Sequence, residues 1–162
     1  PEDKLPTITM WLMGSLANVS YRDVLLCAAI EIPCLAVVMI LRWKMNLLSL
    51  EQEEARSLGI NVKKLRLAVI LIATIMTAVT VSVCGIIGWI GLVIPHIARL
   101  LIGNDHRTLI PASALMGSIY LLLIDTAARA ATAGEVPLSI LTAMVGAPFF
   151  AVILRKTSGG RE

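Results

Sequence analysis

Charge is scarce in this sequence, and that scarcity excludes an ordinary soluble domain. Only 15% of the 162 residues are charged and 4% are aromatic, whereas globular domains carry charge on about a quarter of their residues. So few charges cannot cover a water-exposed surface. Hydrophobic residues instead make up 57% of the chain and the mean hydropathy is +0.85, which is typical of an integral membrane protein.

Motifs for nucleotide binding, hydrolysis and metal binding are also missing. No G-x-x-x-x-G-K stretch is present to hold nucleotide phosphates, and no G-x-S-x-G or H-E-x-x-H stretch indicates a hydrolase. His96 and His106 have no acid or cysteine at ligand spacing, so we predict no metal site. Cys27, Cys34 and Cys84 lack CxxC spacing and should be free thiols. We therefore expect a protein that is not an enzyme, with no catalytic residue and no cofactor.

Long apolar runs predict an all-α, polytopic membrane bundle of about five transmembrane helices. The predicted spans cover residues 22–43, 65–83, 86–102, 109–129 and 136–154. A shorter outer helix over residues 8–18 is suited to the membrane interface, where the indole of Trp11 is half wet. We expect all of these segments to form one transmembrane domain over residues 1–162.

The third and fifth spans are predicted to be broken helices. Pro95 cannot donate a hydrogen bond to the carbonyl of Gly91, and Pro148 cannot donate to the carbonyl of Met144. Gly85, Gly88 and Gly91 would let neighbouring backbones approach closely, as small residues do in membranes. A broken helix survives in lipid only where protein covers it. We therefore place the third span at the centre of the bundle and expect leucine at Gly88 or Gly91 to disrupt the fold by overpacking.

Basic residues predict which ends of the spans face the cytoplasm. In the five-span layout, one side of the membrane carries only Lys4, Arg22 and Arg129. The other side carries Arg42, Lys44, Arg56, Lys63, Lys64, Arg66, Arg99, Arg107, Arg155, Lys156 and Arg161. Because cytoplasmic loops are enriched in Lys and Arg, the second side, which includes the C-terminus, is predicted to be cytoplasmic.

A hydrophilic loop between the first two spans carries the sequence pattern of a short capped helix, at residues 49–59. Ser49 and Gln52 have capping-box spacing, and Gly59 stands where a helix commonly terminates. Two interpretations remain open for this helix. It is either a solvated connector with good caps or an element that docks into a cytoplasmic partner.

Five stretches in chain order resemble one family. They lie at residues 11–16, 53–59, 88–99, 105–107 and 146–150, with the sequences WLMGSL, EEARSLG, GWIGLVIPHIAR, DHR and GAPFF. These stretches look like the permease subunits of ATP-driven importers for iron chelates, haem and vitamin B12. Members of that family have about ten spans per subunit, so the resemblance implies that this chain is a C-terminal half.

The resemblance also implies partners and site residues. The implied partners are a second permease subunit, two ATP-hydrolysing subunits on the cytoplasmic side and an extracytoplasmic substrate-binding protein, all at a bacterial inner membrane. Residues that match the coupling helix are Glu51, Glu53, Glu54, Ala55, Arg56, Leu58 and Gly59. Arg129 matches a position that docks the binding protein, and Trp11, Gly14 and Ser15 lie in the helix beside the external gate. Iron chelates are the first expectation for the cargo.

Two charged residues admit other interpretations. Arg129 follows Asp125 by four positions on one helix face, so an intrahelical ion pair is as plausible as docking. Glu31 lies mid-span, where a carboxyl group is either protonated or hydrogen-bonded across a helix seam. It could instead carry a proton in a secondary transporter, which is our alternative function. An intramembrane protease using Ser15 or Ser118 with His96 lacks supporting spacing.

Overall fold

Five long α-helices make up most of the part of the chain that the structure describes, and the predicted all-α class is confirmed. The computed structural model describes residues 8, 9, 11–49, 61–131 and 137–158, with side chains described for all of these except 49, 131 and 152–158. In chain order the helices are α1 (Tyr21–Met45), α2 (Val62–Cys84), α3 (Ile90–Ile102), α4 (His106–Ala131) and α5 (Leu138–Ser158). A 3-10 turn over Asn46–Ser49 follows α1.

Short polar side chains cap the first two helices. At the start of α1, the hydroxyl of Ser20 accepts from the Asp23 amide at 3.3 Å, and the Asp23 carboxylate accepts from the Ser20 amide at 3.0 Å. These two bonds form a capping box that satisfies backbone donors left free by the helix start. Asn61 caps α2 by accepting from the Lys64 amide at 3.1 Å.

Among the described residues, three helical segments are long and apolar enough to cross a membrane. They are Tyr21–Leu48, Val62–Cys84 and His106–Ala130. Two shorter apolar helices, Ile90–Ile102 and Leu138–Ala151, accompany them. The 13 residues of α3 rise only about 20 Å, which is less than the roughly 30 Å of a hydrocarbon core.

Helix α4 occupies the centre of the packing. It contacts α1, α3 and α5, whereas the main helix neighbour of α2 is α1. Buried side chains are few among the described residues: Val62, Leu65, Cys84, Val93, Ile94, Ala98, Leu109, Ala128, Leu138 and Thr142. Large apolar residues such as Leu25, Leu100 and Leu122 remain exposed, as lipid-facing positions would be.

The third predicted span differs from the structure in its first half. Residues 85–88 are not helical, and α3 begins only at Ile90. Gly85 has φ 72° and ψ −164°, a conformation incompatible with a helix, and Trp89 has φ 67° immediately before α3. The segment therefore consists of a short non-helical stretch followed by a short helix.

The start of α4 lies three residues before the predicted one, at His106 rather than residue 109. The carbonyl of Asp105 accepts from the Leu109 amide at 2.8 Å, and its carboxylate accepts from the Arg107 amide at 2.9 Å, so Asp105 starts the helix. Pro111 lies inside α4 and has no N–H to donate to the carbonyl of Arg107, four residues earlier.

Two predicted short helices are only partly described. Residues 8, 9, 11 and 12 are helical, but residues 13–20 form turns and irregular backbone, so the predicted outer helix over residues 8–18 is shorter at its C-terminal end. The predicted coupling helix falls almost entirely on residues 50–60, which lie outside the described part of the chain.

Candidate functional site

A turn over residues 13–15 joins the end of α2 to the start of α5. The amide of Ser15 donates to the carbonyl of Cys84 at 2.9 Å, and the carbonyl of Gly14 accepts from the amide of Leu138 at 3.0 Å. The hydroxyl of Ser139 adds a bond of 2.6 Å to the carbonyl of Met13. These bonds fix one end of the bundle, which we call the Met13–Ser15 junction.

Close backbone approach at the Met13–Ser15 junction requires glycine at two positions. Gly14 has φ 69°, and a Cβ built there would lie 2.6 Å from the carbonyl oxygen of Ile86. Gly85 has φ 72°, and its Cβ would overlap the carbonyl oxygen of Trp11. Both conformations favour glycine. Gly14, predicted as a gate residue, thus has a packing role in the structure.

The other two predicted gate residues differ in exposure. Trp11 is half exposed, and the hydroxyl of Ser15 accepts from the amide of Ala17 at 3.1 Å. Sequence reasoning missed Ser139, although a hydroxyl in the first turn of a helix is a common hydrogen-bonding element. The gate role of Trp11 and Ser15 stays a prediction.

Trp89 anchors the non-helical segment against α5. A Cβ added at Gly146 would lie 2.7 Å from the Trp89 Cβ, so this glycine makes room for the indole. The indole also meets Phe150 edge-on, with ring centroids 6.2 Å apart. Gly85 lies against Gly14, which bonds the first residue of α5, whereas Trp89 lies against Gly146, about two turns into that helix. The segment between Gly85 and Trp89 therefore runs roughly 12 Å along α5.

The predicted close packing at Gly88 and Gly91 does not occur within the described part of the chain. A Cβ at either position would meet no heavy atom within 4 Å. Pro95 and Pro148 lie inside α3 and α5 as expected. The ring of His96 packs edge-on against Phe149, with centroids 6.4 Å apart.

Arg129 and Asp125 form an ion pair near the end of α4. The Nε of Arg129 lies 2.8 Å from Asp125 Oδ2, as the spacing of four residues predicts. The Arg129 side chain is 61% exposed, against 23% for Asp125. Asp125 therefore orients an arginine that stays accessible to a partner, and the two interpretations of Arg129 are compatible.

Glu31 has a hydrogen-bond partner on the neighbouring helix. The hydroxyl of Thr80, on α2, donates to Glu31 Oε1 at 2.9 Å. This bond across the α1–α2 seam confirms the structural interpretation of the mid-span carboxyl group. It gives no support to a proton-carrying role.

At the opposite end of the bundle, polar side chains tie α1 to α4. Asn46 Nδ2 donates to Asp105 Oδ1 at 2.7 Å, and Asn46 Oδ1 accepts from the His106 amide at 2.8 Å. The amide of Arg107 and the side-chain amide of Asn46 hold the pKa of Asp105 below its usual value, because both donate to the charged carboxylate. We call Arg42, Asn46, Asp105, His106 and Arg107 the α1–α4 clamp.

Several predicted site residues cannot be placed. Those of the coupling helix, Glu51, Glu53, Glu54, Ala55, Arg56, Leu58 and Gly59, lie outside the described residues. Within the described residues, no three His, Cys, Asp or Glu side chains are grouped so that they could hold a metal ion. The structure therefore offers two polar connections at opposite ends of an apolar bundle.

Comparison with known proteins gives the family. Residues 1–156 match the FecCD transport family. The chain belongs to this family. Among FecCD relatives, the molybdate import system permease protein MolB of Haemophilus influenzae is 42% identical over 159 residues, which cover 98% of this chain and 47% of MolB. The hemin transport system permease protein HmuU of Yersinia pestis is 39% identical and covers 96% of this chain and 47% of HmuU.

A solved structure shares the fold of this FecCD chain. It is a transporter assigned to the metal-chelate ABC type, in an inward-facing conformation. The TM-score is 0.91 at 42% identity, and the match covers 96% of this chain and 50% of the other. The chain therefore spans about half the length of the relatives it matches. The resemblance inferred from the motifs is confirmed, and the relatives together with the apolar helices indicate a multi-pass membrane protein.

Proposed function

We propose that this chain is the C-terminal half of a permease subunit in an ATP-driven importer. The observation that carries the proposal is the match to half of an ABC transporter chain with a TM-score of 0.91. The subunit would line a path for substrate and perform no chemistry itself. Energy would come from separate ATPase subunits.

The proposed cargo is an iron chelate, haem or cobalamin. Relatives named for these cargoes include a probable iron chelatin permease of Helicobacter pylori, 43% identical, and the cobalamin permease BtuC of Halobacterium salinarum, 42% identical. The relative named for molybdate imports a smaller anion. Iron chelates are the first candidate, to be tested by uptake of labelled iron chelate against cobalamin and molybdate.

The proposed assembly places this chain in a bacterial inner membrane with its C-terminus in the cytoplasm. The α1–α4 clamp lies at the end that carries most of the basic residues, and the positive-inside rule makes that end cytoplasmic. A second permease subunit would complete the path. An extracytoplasmic binding protein would dock at the outer end through Arg129, whose side chain is 61% exposed.

Residues 51–59 are proposed to couple the permease to its ATPase. In the sequence they lie between Asn46, which belongs to the clamp, and the start of α2, so they lie on the proposed cytoplasmic side. Rocking of rigid helices is the expected kind of motion when the ATPase closes. A proton-coupled transporter would leave this loop without a role, and Glu31 already has a structural partner in Thr80.

The test is co-purification of the ATPase with the full-length permease. Changing Glu53, Arg56 and Leu58 together to alanine should abolish co-purification, while the permease still inserts and dimerises. Lys63→Ala, at an exposed position at the start of α2, is the matched control and should leave co-purification intact. An ATPase that remains bound to the triple variant would contradict the coupling role.

A further inference from the structure

The α1–α4 clamp consists of two independent sets of hydrogen bonds. In the first, Asn46 uses both ends of its amide. Its Nδ2 donates to Asp105 at 2.7 Å, while its Oδ1 accepts from the His106 amide at 2.8 Å and lies 2.7 Å from His106 Nδ1. One side chain from the turn after α1 therefore holds two residues at the start of α4.

The second set involves the carbonyl that Pro111 leaves free. Pro111 has no N–H to donate to the carbonyl of Arg107, four residues earlier. Arg42 Nη1, from the last turn of α1, donates to that carbonyl at 3.0 Å. A guanidinium from one helix thus replaces a backbone donor missing from the other.

The clamp lies where a force from the cytoplasm would enter the bundle. The chain leaves α1 through Asn46–Ser49 and then enters the loop that carries the proposed coupling residues. From the clamp, α4 continues for 26 residues, about 39 Å, and holds Arg129 in its last turn. The loop entry and the exposed arginine are therefore connected through one uninterrupted helix.

We infer that the α1–α4 clamp makes α4 the element that carries motion of the coupling loop to the binding-protein site at Arg129. Asn46 is the positioning residue, because it holds the loop entry against the start of α4. This inference rests on the proposed function. Helix α4 suits the role since it packs against α1, α3 and α5, so its displacement would also shift the helices around it.

The readout is how strongly nucleotide on the inner side changes the affinity on the outer side. Coupling between two sites is reciprocal, so it can be measured as one ratio of dissociation constants. We would reconstitute the full-length permease, its ATPase and its binding protein in nanodiscs. The Kd of the binding protein is then measured with and without a non-hydrolysable ATP analogue.

Asn46→Ala should bring the ratio of the two dissociation constants closer to one, by a factor of about 5 or more. A factor of about 5 is the lower end of typical coupling between sites. The ATPase should still co-purify, because the docking residues are unchanged. Asn104→Ala is the matched control, since Asn104 is exposed in the turn next to the clamp. It should keep the wild-type ratio.

Exchange of the two polar groups distinguishes a specific link from general destabilisation. In the double variant Asn46→Asp with Asp105→Asn, the new amide can donate to the new carboxylate, which still accepts from the His106 amide. The wild-type ratio should return. Asn46→Asp alone places two carboxylates side by side, so its ratio of dissociation constants should move toward one. This single variant replaces Asn46→Ala as the test if Asn46→Ala does not fold.

Two results would overturn the inference. One is a wild-type ratio in Asn46→Ala. The other is a double variant that assembles with its ATPase but does not recover the ratio. Failure of the proposed function is distinguishable, because in that case the wild-type permease would not bind an ATPase at all.

Discussion

Replacing Gly85 by alanine should destabilise the protein more than any other single methyl group added at the glycines described above. The backbone there, at φ 72° and ψ −164°, lies in a region populated almost only by glycine, which costs another residue about 1–3 kcal/mol. The new Cβ would also overlap the carbonyl oxygen of Trp11 and lie 3.2 Å from the Gly14 Cα. Relief of this overlap requires backbone movement that costs about 1–3 kcal/mol, so the total loss of stability is about 2–6 kcal/mol.

The assay is equilibrium unfolding of the full-length permease in mixed detergent and SDS micelles. Gly91→Ala is the matched control, because Gly91 lies inside α3 with no heavy atom within 4 Å of its would-be Cβ. Alanine is about 0.5–1 kcal/mol better than glycine inside a helix, so the control should be neutral or stabilising. Equal stability of the Gly85→Ala and Gly91→Ala proteins would refute the assignment of the close approach to Gly85.

Three further predictions concern polar contacts. Arg129→Glu should weaken binding-protein docking, more at low than at high salt because exposed charges are screened; unchanged affinity in both salts rejects the docking role. Thr80→Val leaves Glu31 without its donor and should lower the free energy of unfolding by about 1–3 kcal/mol. Thr77→Val removes only a bond to the carbonyl of Ala73 in the same helix, so it should lower the free energy of unfolding less. Equal decreases for the two variants would argue against the Glu31 bond. The pKa of Asp105 is held below its usual 3.8 in the fold, so the ionised carboxylate stabilises the fold fully above pH 3.8, and this stabilisation is lost as pH falls further. Asp105→Asn should remove this part of the pH dependence of the free energy of unfolding. An unchanged pH dependence would contradict the role of Asp105.

Long apolar segments made the helices predictable from the sequence. The runs that become α1, α2 and α4 are long enough to span a membrane, and composition alone indicates their type. Boundaries were less accurate where a polar residue starts a helix early. Asp105 lies four residues before the predicted span, although its carbonyl and carboxylate both accept amides of α4.

The glycines show why packing was harder to predict than helices. Gly85, Gly88 and Gly91 look alike in the sequence, yet only Gly85 meets another backbone within the described residues. What approaches a glycine depends on segments far away in the chain, here the turn at Trp11 and Gly14. No local pattern carries that information.

The polar contacts were likewise predictable within one helix but not between helices. The Asp125–Arg129 pair was predictable because both residues lie on one helix at a fixed spacing. Glu31 was expected to need a partner, but Thr74, Thr77 and Thr80 all lie on the adjacent helix, and only tertiary packing selects Thr80. The clamp was missed because Asn46 and Asp105 are brought together by the crossing of α1 and α4.

Pro111 and Arg42 form a matched pair, although they belong to different helices. Alanine in place of the proline would give the Arg107 carbonyl a backbone donor again, so the bond from Arg42 would no longer be needed to satisfy that carbonyl. Loss of the arginine alone would instead leave a bare carbonyl in the first turns of α4. Sequence changes at these two positions should therefore be interpreted jointly when FecCD variants are compared or redesigned.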